Sequence, residues 1–288
     1  MLPNFLIVGA QKSGTTALHY LLRTHPDVFF PPGRNEVHFF DLDENFERGL
    51  EWYESLFESH RGEAAIGECS PFYMFEPAAA PRIKRILSDV KLLVILRDPV
   101  ARAYSHYWHE VRWGFEALSF EEALAQESLR LRSGTVHHRR HHSYVARGHY
   151  SRQIERLFDL FGRDRILVLL NEELSVHPDR VGRACAEFLS VDPEALRADM
   201  IGESRPNAAR LPRSRRLQRM RPLILSVWPR LCGVLDRINL VEQRYPPMPE
   251  GIRDRLRKEF SAEPRQLRDL TGIDVSEWWP IASPSDDG

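Results

Sequence analysis

Lysine occurs at only four positions in this chain, and one of them, Lys12, stands in a glycine-containing turn where an anion would be held. The turn, Gly9-Ala-Gln-Lys-Ser-Gly-Thr-Thr16, follows the apolar run Phe5–Val8 and opens the amphipathic stretch Thr15–Arg23. A link from a buried strand to a helix aims its own N–H groups and the helix N-terminus at one point. Phosphate or sulfate is the ligand such a point attracts, and the Lys12 ammonium adds a full charge to it. Ser13, Gly14, Thr15 and Thr16 complete the predicted cradle. The same residues also suit a strand-to-helix connection that binds nothing.

A second group of chemical residues lies in Asn35-Glu-Val-His-Phe-Phe-Asp41. In an extended segment Glu36 and His38 share one face, Glu36 can take a proton, and Asp41 can orient or charge-stabilise the histidine. Without the neighbouring turn, a Glu-x-His pair reads as readily as a solvated surface. Phe39 and Phe40 are expected to anchor the segment in the core. A third group begins at Arg97, the first residue after the apolar run Lys91–Leu96, with Ser105 eight positions later in a helix opened by Pro99. Arginine's planar fork and a hydroxyl suit a second phosphate. An alternative is structural: Asp98 caps the helix while Arg97 makes a surface ion pair.

These groups need elements to carry them. Phe5–Val8, Lys91–Leu96 and Arg165–Leu170, with Ala65–Glu68 as a weaker fourth, are apolar without alternation, the pattern of parallel strands buried on both faces. Helices are predicted over Thr15–Arg23, Phe46–Phe57, Pro81–Leu87, Val100–Val111, Phe120–Glu127 and Tyr150–Phe161. Alternation of the two gives an α/β fold, a doubly wound parallel sheet flanked by helices in a single domain over residues 1–280. The sheet core is expected over about residues 4–190. An arginine-rich loop and a helical extension, helical around Gly251–Leu270, would fill 205–280, with residues 281–288 as a disordered tail.

The chain has 288 residues, 42% apolar and 28% charged, with a net charge of −1. Its pI is near 6.9, so no global field recruits nucleic acid or an anionic surface, and an anion site has to be built locally. Cys69, Cys185 and Cys232 have neither disulfide nor zinc spacing, which fits a reducing cytoplasm. No apolar run reaches the length of a membrane span. Val136-His-His-Arg-Arg-His-His142 invites a metal, but its spacing reads as lacking a helical i, i+4 pair, and a solvated acceptor-side loop is expected there. No metal is predicted.

The glycine spacing of the first turn resembles a nucleotide-binding phosphate loop, except that Thr15 stands where that motif has its lysine and Lys12 precedes Gly14 by two. A lysine placed earlier suits the end of a donor shorter than a nucleoside triphosphate. Gln-Lys-Ser-Gly-Thr-Thr in this setting is similar to the 5′-phosphosulfate loop of the sulfotransferases that use 3′-phosphoadenosine-5′-phosphosulfate (PAPS). Asn35–Asp41 resembles the base-bearing segment of the heparan sulfate glucosaminyl 3-O-sulfotransferases and, more loosely, the N-sulfotransferases. The likeness continues through Gly49-Leu-Glu-Trp-Tyr53, Ser70-Pro-Phe-Tyr73, Leu96-Arg-Asp-Pro99 and Ala103-Tyr-Ser105, covers about residues 4–175, and is faint after about 205.

That resemblance implies transfer of a sulfuryl group from PAPS to a hydroxyl or amine of a glycan or small metabolite, releasing 3′,5′-bisphosphoadenosine without a metal. It implies Glu36 as the base, Lys12 on the departing phosphate oxygen, His38 and Asp41 in support, and Arg97 with Ser105 on the 3′-phosphate. A later basic loop closes the nucleotide site in the family. Here the nearest stretch is Asn207–Arg216, with Arg213 as its expected contact. Read from the residues alone, His106, Trp108, His109 and Trp113, on or beside the helix carrying Ser105, offer acceptor-side platforms, with a core role for either Trp as the alternative. Cys69 stands where the 3-O-sulfotransferases carry a lysine, which argues against a heparan acceptor. Two other classes compete: a kinase, which would need lysine at position 15 and an acid to hold Mg²⁺, and a non-catalytic nucleotide-binding protein, which would not need Glu36.

Overall fold

The computed structural model describes residues 1–33, 36–197 and 210–278. In chain order the elements are β1 (Phe5–Gly9), α1 (Thr15–Leu22), β2 (Val28–Phe29), α2 (Asp43–Phe46), α3 (Gly49–Ser55), β3 (Ala65–Cys69), α4 (Ala79–Ile86) and β4 (Lys91–Leu96). Next come α5 (Pro99–Trp113), α6 (Phe120–Arg132), α7 (Val136–His141), α8 (Tyr150–Phe161), β5 (Ile166–Leu170), α9 (Asn171–Val176) and α10 (Pro178–Leu189). The C-terminal part holds β6 (Arg210–Pro212), α11 (Arg215–Gln218), α12 (Arg221–Val227), α13 (Pro229–Asn239), β7 (Leu240–Glu242), α14 (Glu250–Glu259) and α15 (Glu263–Thr271).

Five strands form one parallel sheet in the order β2-β3-β1-β4-β5, as the unalternating apolar runs imply. Successive residues of β1 bury on opposite faces. Leu6 and Val8 join a cluster with Tyr73, Ile83 and Ile154, while Phe5 and Ile7 join another with Leu18, Leu22 and Cys185. Each face therefore carries helices, α4 and α8 on one and α1 and α10 on the other, and no side of the central strands meets water. β1 pairs with β3 on one side and β4 on the other, so the chain switches direction across the sheet at β1. Open α/β sheets bind ligands at the carboxyl ends of the strands at such a switch.

Several details depart from the sequence expectation. The helix predicted over Phe46–Phe57 is two short helices, because Gly49 takes a left-handed φ of 85° at the junction. The strand Val28–Phe29, only two residues long, carried no readable pattern. α10 buries Val181, Cys185, Ala186 and Leu189 at helical spacing and was not anticipated. The arginine-rich stretch is not a loop where it is described. Arg210–Pro212 pairs antiparallel with Leu240–Glu242, and helices occupy most of the chain between them. Residues 206–209 and the predicted tail lie outside the described residues.

Candidate active site

At the carboxyl edge of the sheet a cleft of about 1300 Å³ is lined by residues from the turn after β1, the segment before α2, α5, α7 and α14. The turn is shaped by two left-handed residues, Lys12 (φ 70°) and Gly14 (φ 98°). A side chain at position 14 would be strained by that φ and would place its Cβ 2.3 Å from Asn171 Oδ1, so glycine is required. Lys12, Gly14, Thr15 and Thr16 all face the cleft. Ser13 does not: it is fully buried, and its N–H closes the turn onto the Ala10 carbonyl at 3.1 Å.

Lys12 Nζ donates to His109 Nδ1 at 3.3 Å. Burial pulls the lysine down to about 8, aided by Arg112 and Arg97 and opposed by Glu110 and Glu36. Burial, then Lys12 itself, holds the His109 pKa far below the ordinary value, so this imidazole is neutral and accepts. Arg97 leaves the end of β4 beside the turn and sends Nη1 to the Lys12 carbonyl at 3.4 Å. Ser105 lines the same wall from α5. Asp98 caps α5 by accepting from Val100 N–H at 2.9 Å, so the capping role predicted for it holds, while Arg97 turns to the cleft instead of a surface partner.

Across the cleft, Glu36 Oε2 lies 2.7 Å from His38 Nε2, and His38 Nδ1 lies 2.7 Å from Asp41 Oδ2. Burial alone would lower the His38 pKa, but its bonds to Asp41 and Glu36 push it up to about 9, so the ring is doubly protonated at neutral pH. Burial would likewise raise Glu36. The His38 hydrogen bond and charge outweigh it, with Arg140 and Lys12 adding to them, and hold the carboxyl below its usual range. Glu36 therefore stands in the cleft as a carboxylate with 42% of its side chain exposed. Arg140 Nη2 sits 3.1 Å from His38 Nε2, and with that nitrogen's proton committed to Glu36 it acts through its charge.

The segment carrying this triad has no strand or helix to hold it, and a hydroxyl network does so instead. Ser70 Oγ accepts from Val37 N–H (3.1 Å) and His38 N–H (3.0 Å), and Tyr73 Oη accepts from Phe39 N–H at 2.9 Å. Both hydroxyls donate to Glu68, at 2.9 Å each, and Tyr53 Oη donates to it at 2.7 Å. Asn45 Nδ2 donates to the His38 carbonyl at 3.0 Å. Phe39 stacks on Tyr53 with centroids 4.3 Å apart, and both it and Phe40 are buried, as expected of core anchors.

Other expectations are corrected by position. Arg213 is exposed at the end of β6, where its N–H bonds the Asn239 carbonyl, and it is outside the cleft wall. Arg253 and Arg257 of α14 supply cations to the wall instead. These stand beyond the stretch in which the likeness was readable. Of the four α5 positions expected to serve as acceptor-side platforms, His109 and Trp113 reach the cleft. His106 is fully buried against Tyr144, and Trp108 stacks on Tyr245, a wall residue.

The histidine-rich segment is a helix, α7, not a solvated loop. It does contain an i, i+4 pair, His138 and His142, with Nδ1 atoms 3.0 Å apart. Its other face sends Arg140 and His141 into the cleft. His141 Nδ1 meets Glu110 Oε2 at 2.8 Å. Burial pushes Glu110 up to about 8 against the pull of Arg147, Lys12 and Arg140. Burial, with Arg140 and Arg147, pushes His141 down to about 3, so the two meet as neutral groups at pH 7.

A cradle of amides and a lysine opposite an ionised carboxylate, with further arginines around both, is equipped to hold an anionic donor while a proton is taken from a second molecule. That arrangement, at the carboxyl edge of an α/β sheet, suits group transfer. Residues 2–204 match the sulfotransferase domain family, and the chain belongs to that family. A crystal structure of a sulfotransferase from Alicyclobacillus acidocaldarius superposes with a TM-score of 0.71 at 32% identity, covering 96% of this chain and 99% of the other.

Among curated relatives, heparan sulfate glucosamine 3-O-sulfotransferase 5 of Homo sapiens is 31% identical over 192 residues, 67% of this chain and 54% of its own. Bifunctional heparan sulfate N-deacetylase/N-sulfotransferase 2 of Homo sapiens is 30% identical over 204 residues, 67% of this chain and 22% of its own. A membrane-associated sulfotransferase of Dictyostelium discoideum is 38% identical over 136 residues, 42% of this chain and 28% of its own. The chain thus spans between about a quarter and about half the length of these relatives.

Two outcomes are expected from this geometry. Ser70→Ala strands the buried N–H groups of Val37 and His38, so chemical denaturation should show a loss of about 1–3 kcal/mol, with donor binding affected less than turnover. Glu110 binds its proton more tightly folded than unfolded, so the stability it contributes is full below about pH 4.5 and is lost as pH rises through about 8. Thermal melts from acid to mildly alkaline pH should therefore fall less steeply in Glu110→Gln than in the parent protein.

Proposed function

We propose that the cleft binds PAPS and transfers its sulfuryl group to a hydroxyl or amine of a glycan or small metabolite. The observation that carries this reading is that Lys12 and the ionised Glu36, brought from separate elements, line one cleft. The turn amides and Lys12 hold the 5′-phosphosulfate, with Thr15 and Thr16 at the N-terminus of α1 and Ser13 closing the turn. Arg97 and Ser105 take the 3′-phosphate at the switch point. As the acceptor oxygen or nitrogen bonds to sulfur, the bond from sulfur to the 5′-phosphate oxygen breaks. The acceptor's proton passes to Glu36, and Lys12 neutralises the departing phosphate oxygen, leaving 3′,5′-bisphosphoadenosine.

His38 and Asp41 keep Glu36 oriented and ionised, and no step in this scheme uses a metal. The names of two relatives include heparan sulfate, but the position at which that branch carries a lysine is Cys69 here, buried with Sγ 4.0 Å from the Thr15 carbonyl. A smaller or differently charged acceptor fits better. A cytoplasmic setting agrees with three buried free cysteines. A kinase reading is weakened by Thr15 at the lysine position and by the commitment of Asp98 to its helix cap. A purely binding role leaves the Glu36–His38–Asp41 triad without use.

Glu36→Gln should lower kcat by about 10²–10⁴-fold while 3′,5′-bisphosphoadenosine still stabilises the protein in a thermal shift. Unchanged turnover would remove Glu36 as the base. Arg97→Ala should weaken the bisphosphate far more than adenosine 5′-phosphate, measured by titration calorimetry. Stabilisation of the parent protein by Mg-ATP in preference to the bisphosphate would favour the kinase.

A further inference from the structure

The hairpin made by α12 and α13, with α11 before it, buries several polar groups alongside the apolar Cys232 and Leu235. Gln218 is buried and donates to the Arg112 carbonyl at the end of α5 (2.6 Å), and Arg221 is buried over the Trp113 ring at 4.1 Å while pairing with Asp236 at 2.9 Å. Asn239 is buried too, between the Ser214 carbonyl and Gln218. Many apolar groups face outward. Leu217, Met220, Leu223, Leu225, Val227, Trp228, Leu231, Val234 and Ile238 follow one another, most of them three or four residues apart, and each is exposed, Leu223 by 65% and Trp228 by 64%.

An isolated exposed leucine needs no explanation, but a continuous stripe along two helices does. Its charge names the occupant. Between positions 210 and 241 the chain has eight arginines, no lysine and one acid, Asp236, although the whole chain carries a net charge of −1. Asp236 is neutralised by Arg221, whereas Arg216, Arg230 and Arg237 are exposed on α11 and α13, Arg219 at the C-terminal end of α11, and Arg213 in the link between β6 and α11. An apolar stripe rimmed by arginines complements an acyl-chain boundary beneath anionic headgroups. A second copy of the same surface would set these arginines against each other. Among the described residues no helix is long and apolar enough to cross a membrane.

We propose that the α11–α13 hairpin docks this enzyme onto an anionic lipid surface, with the apolar stripe in the acyl boundary and the exposed arginines on lipid phosphates. The test is co-sedimentation of the full chain with vesicles of equal parts phosphatidylglycerol and phosphatidylcholine, beside vesicles of phosphatidylcholine alone. Binding is expected on the anionic vesicles, falling steeply with added salt, and about tenfold or more weaker in Leu223→Glu/Leu231→Glu. Thermal shifts with 3′,5′-bisphosphoadenosine establish that this variant is folded. Arg216→Glu/Arg219→Glu, which leaves the stripe intact, should also weaken binding. Absence of parent binding to anionic vesicles overturns the proposal, as does concentration-dependent dimerisation in sedimentation velocity that the leucine changes abolish while vesicle binding is unaffected.

Discussion

Residues 36–41 belong to no helix or strand, yet they carry Glu36 and His38, which line the cleft, and Asp41, which pairs with His38. What fixes them is the buried carboxyl of Glu68, one strand position before the end of β3. It collects three hydroxyls, and two of those, on Ser70 and Tyr73, spend their lone pairs on the N–H groups of the segment. Burial pushes Glu68 up to about 7, against the lowering effect of the hydroxyl donors. A carboxyl can stay in the sheet interior only if its oxygens are satisfied this fully. The same satisfaction fixes His38 in its left-handed backbone conformation (φ 55°) and so aims its ring at Glu36. The geometry of the proposed base thus traces to one acid it never touches.

The sheet supplies the other side by topology alone. β1 and β4 are parallel neighbours whose register shifts between Ile7 and Gly9, with Ala10 N–H donating to the Ile95 carbonyl at 2.8 Å, so the residues that follow each strand emerge side by side. Lys12 and Arg97, 85 positions apart in sequence, meet for that reason. Glu36 arrives from beyond β2, at the far edge of the sheet, and returns over β3 to reach the cleft.

How much of this was legible follows from the range of each interaction. Strand–turn–helix order, the glycine spacing and the parallel sheet depend on local pattern, and they read correctly from Phe5–Val8, Lys91–Leu96 and the turn between Gly9 and Thr16. The Glu68 network did not read, because Tyr53, Ser70 and Tyr73 have meaning only once α3 and β3 are packed together. An acid inside Ala-Ile-Gly-Glu-Cys merely made that strand look weaker. The stretch holding Arg140 and His141 reads as a solvated loop because adjacent histidines interleaved with arginines show no helical apolar face, and histidine is a weak helix former. Their helix is secured by tertiary contacts, such as Arg139 to Glu76 at 2.7 Å. Arg213 lies in the stretch expected to close the nucleotide site, but the pairing of β6 with β7 leaves it exposed to solvent, while α14 brings Arg253 and Arg257 to the cleft wall.

The electrostatics of the cleft explain why it should prefer an anion despite a chain that is nearly neutral overall. Burial makes every charge there costly, and the groups that can shed charge have done so: Glu110 holds its proton, while His109 and His141 have lost theirs. Arginine cannot do the same at neutral pH, and Lys12, at about 8, remains mostly cationic. The imidazolium of His38 lies between the carboxyl groups of Glu36 and Asp41 and offsets part of their charge. Lys12, Arg97 and Arg140, together with Arg253 and Arg257 from the C-terminal extension, are left to set the sign of the field. An entering dianion would relieve the repulsion among them and restore the lysine's full charge, so that donor binding and activation of Lys12 are one event.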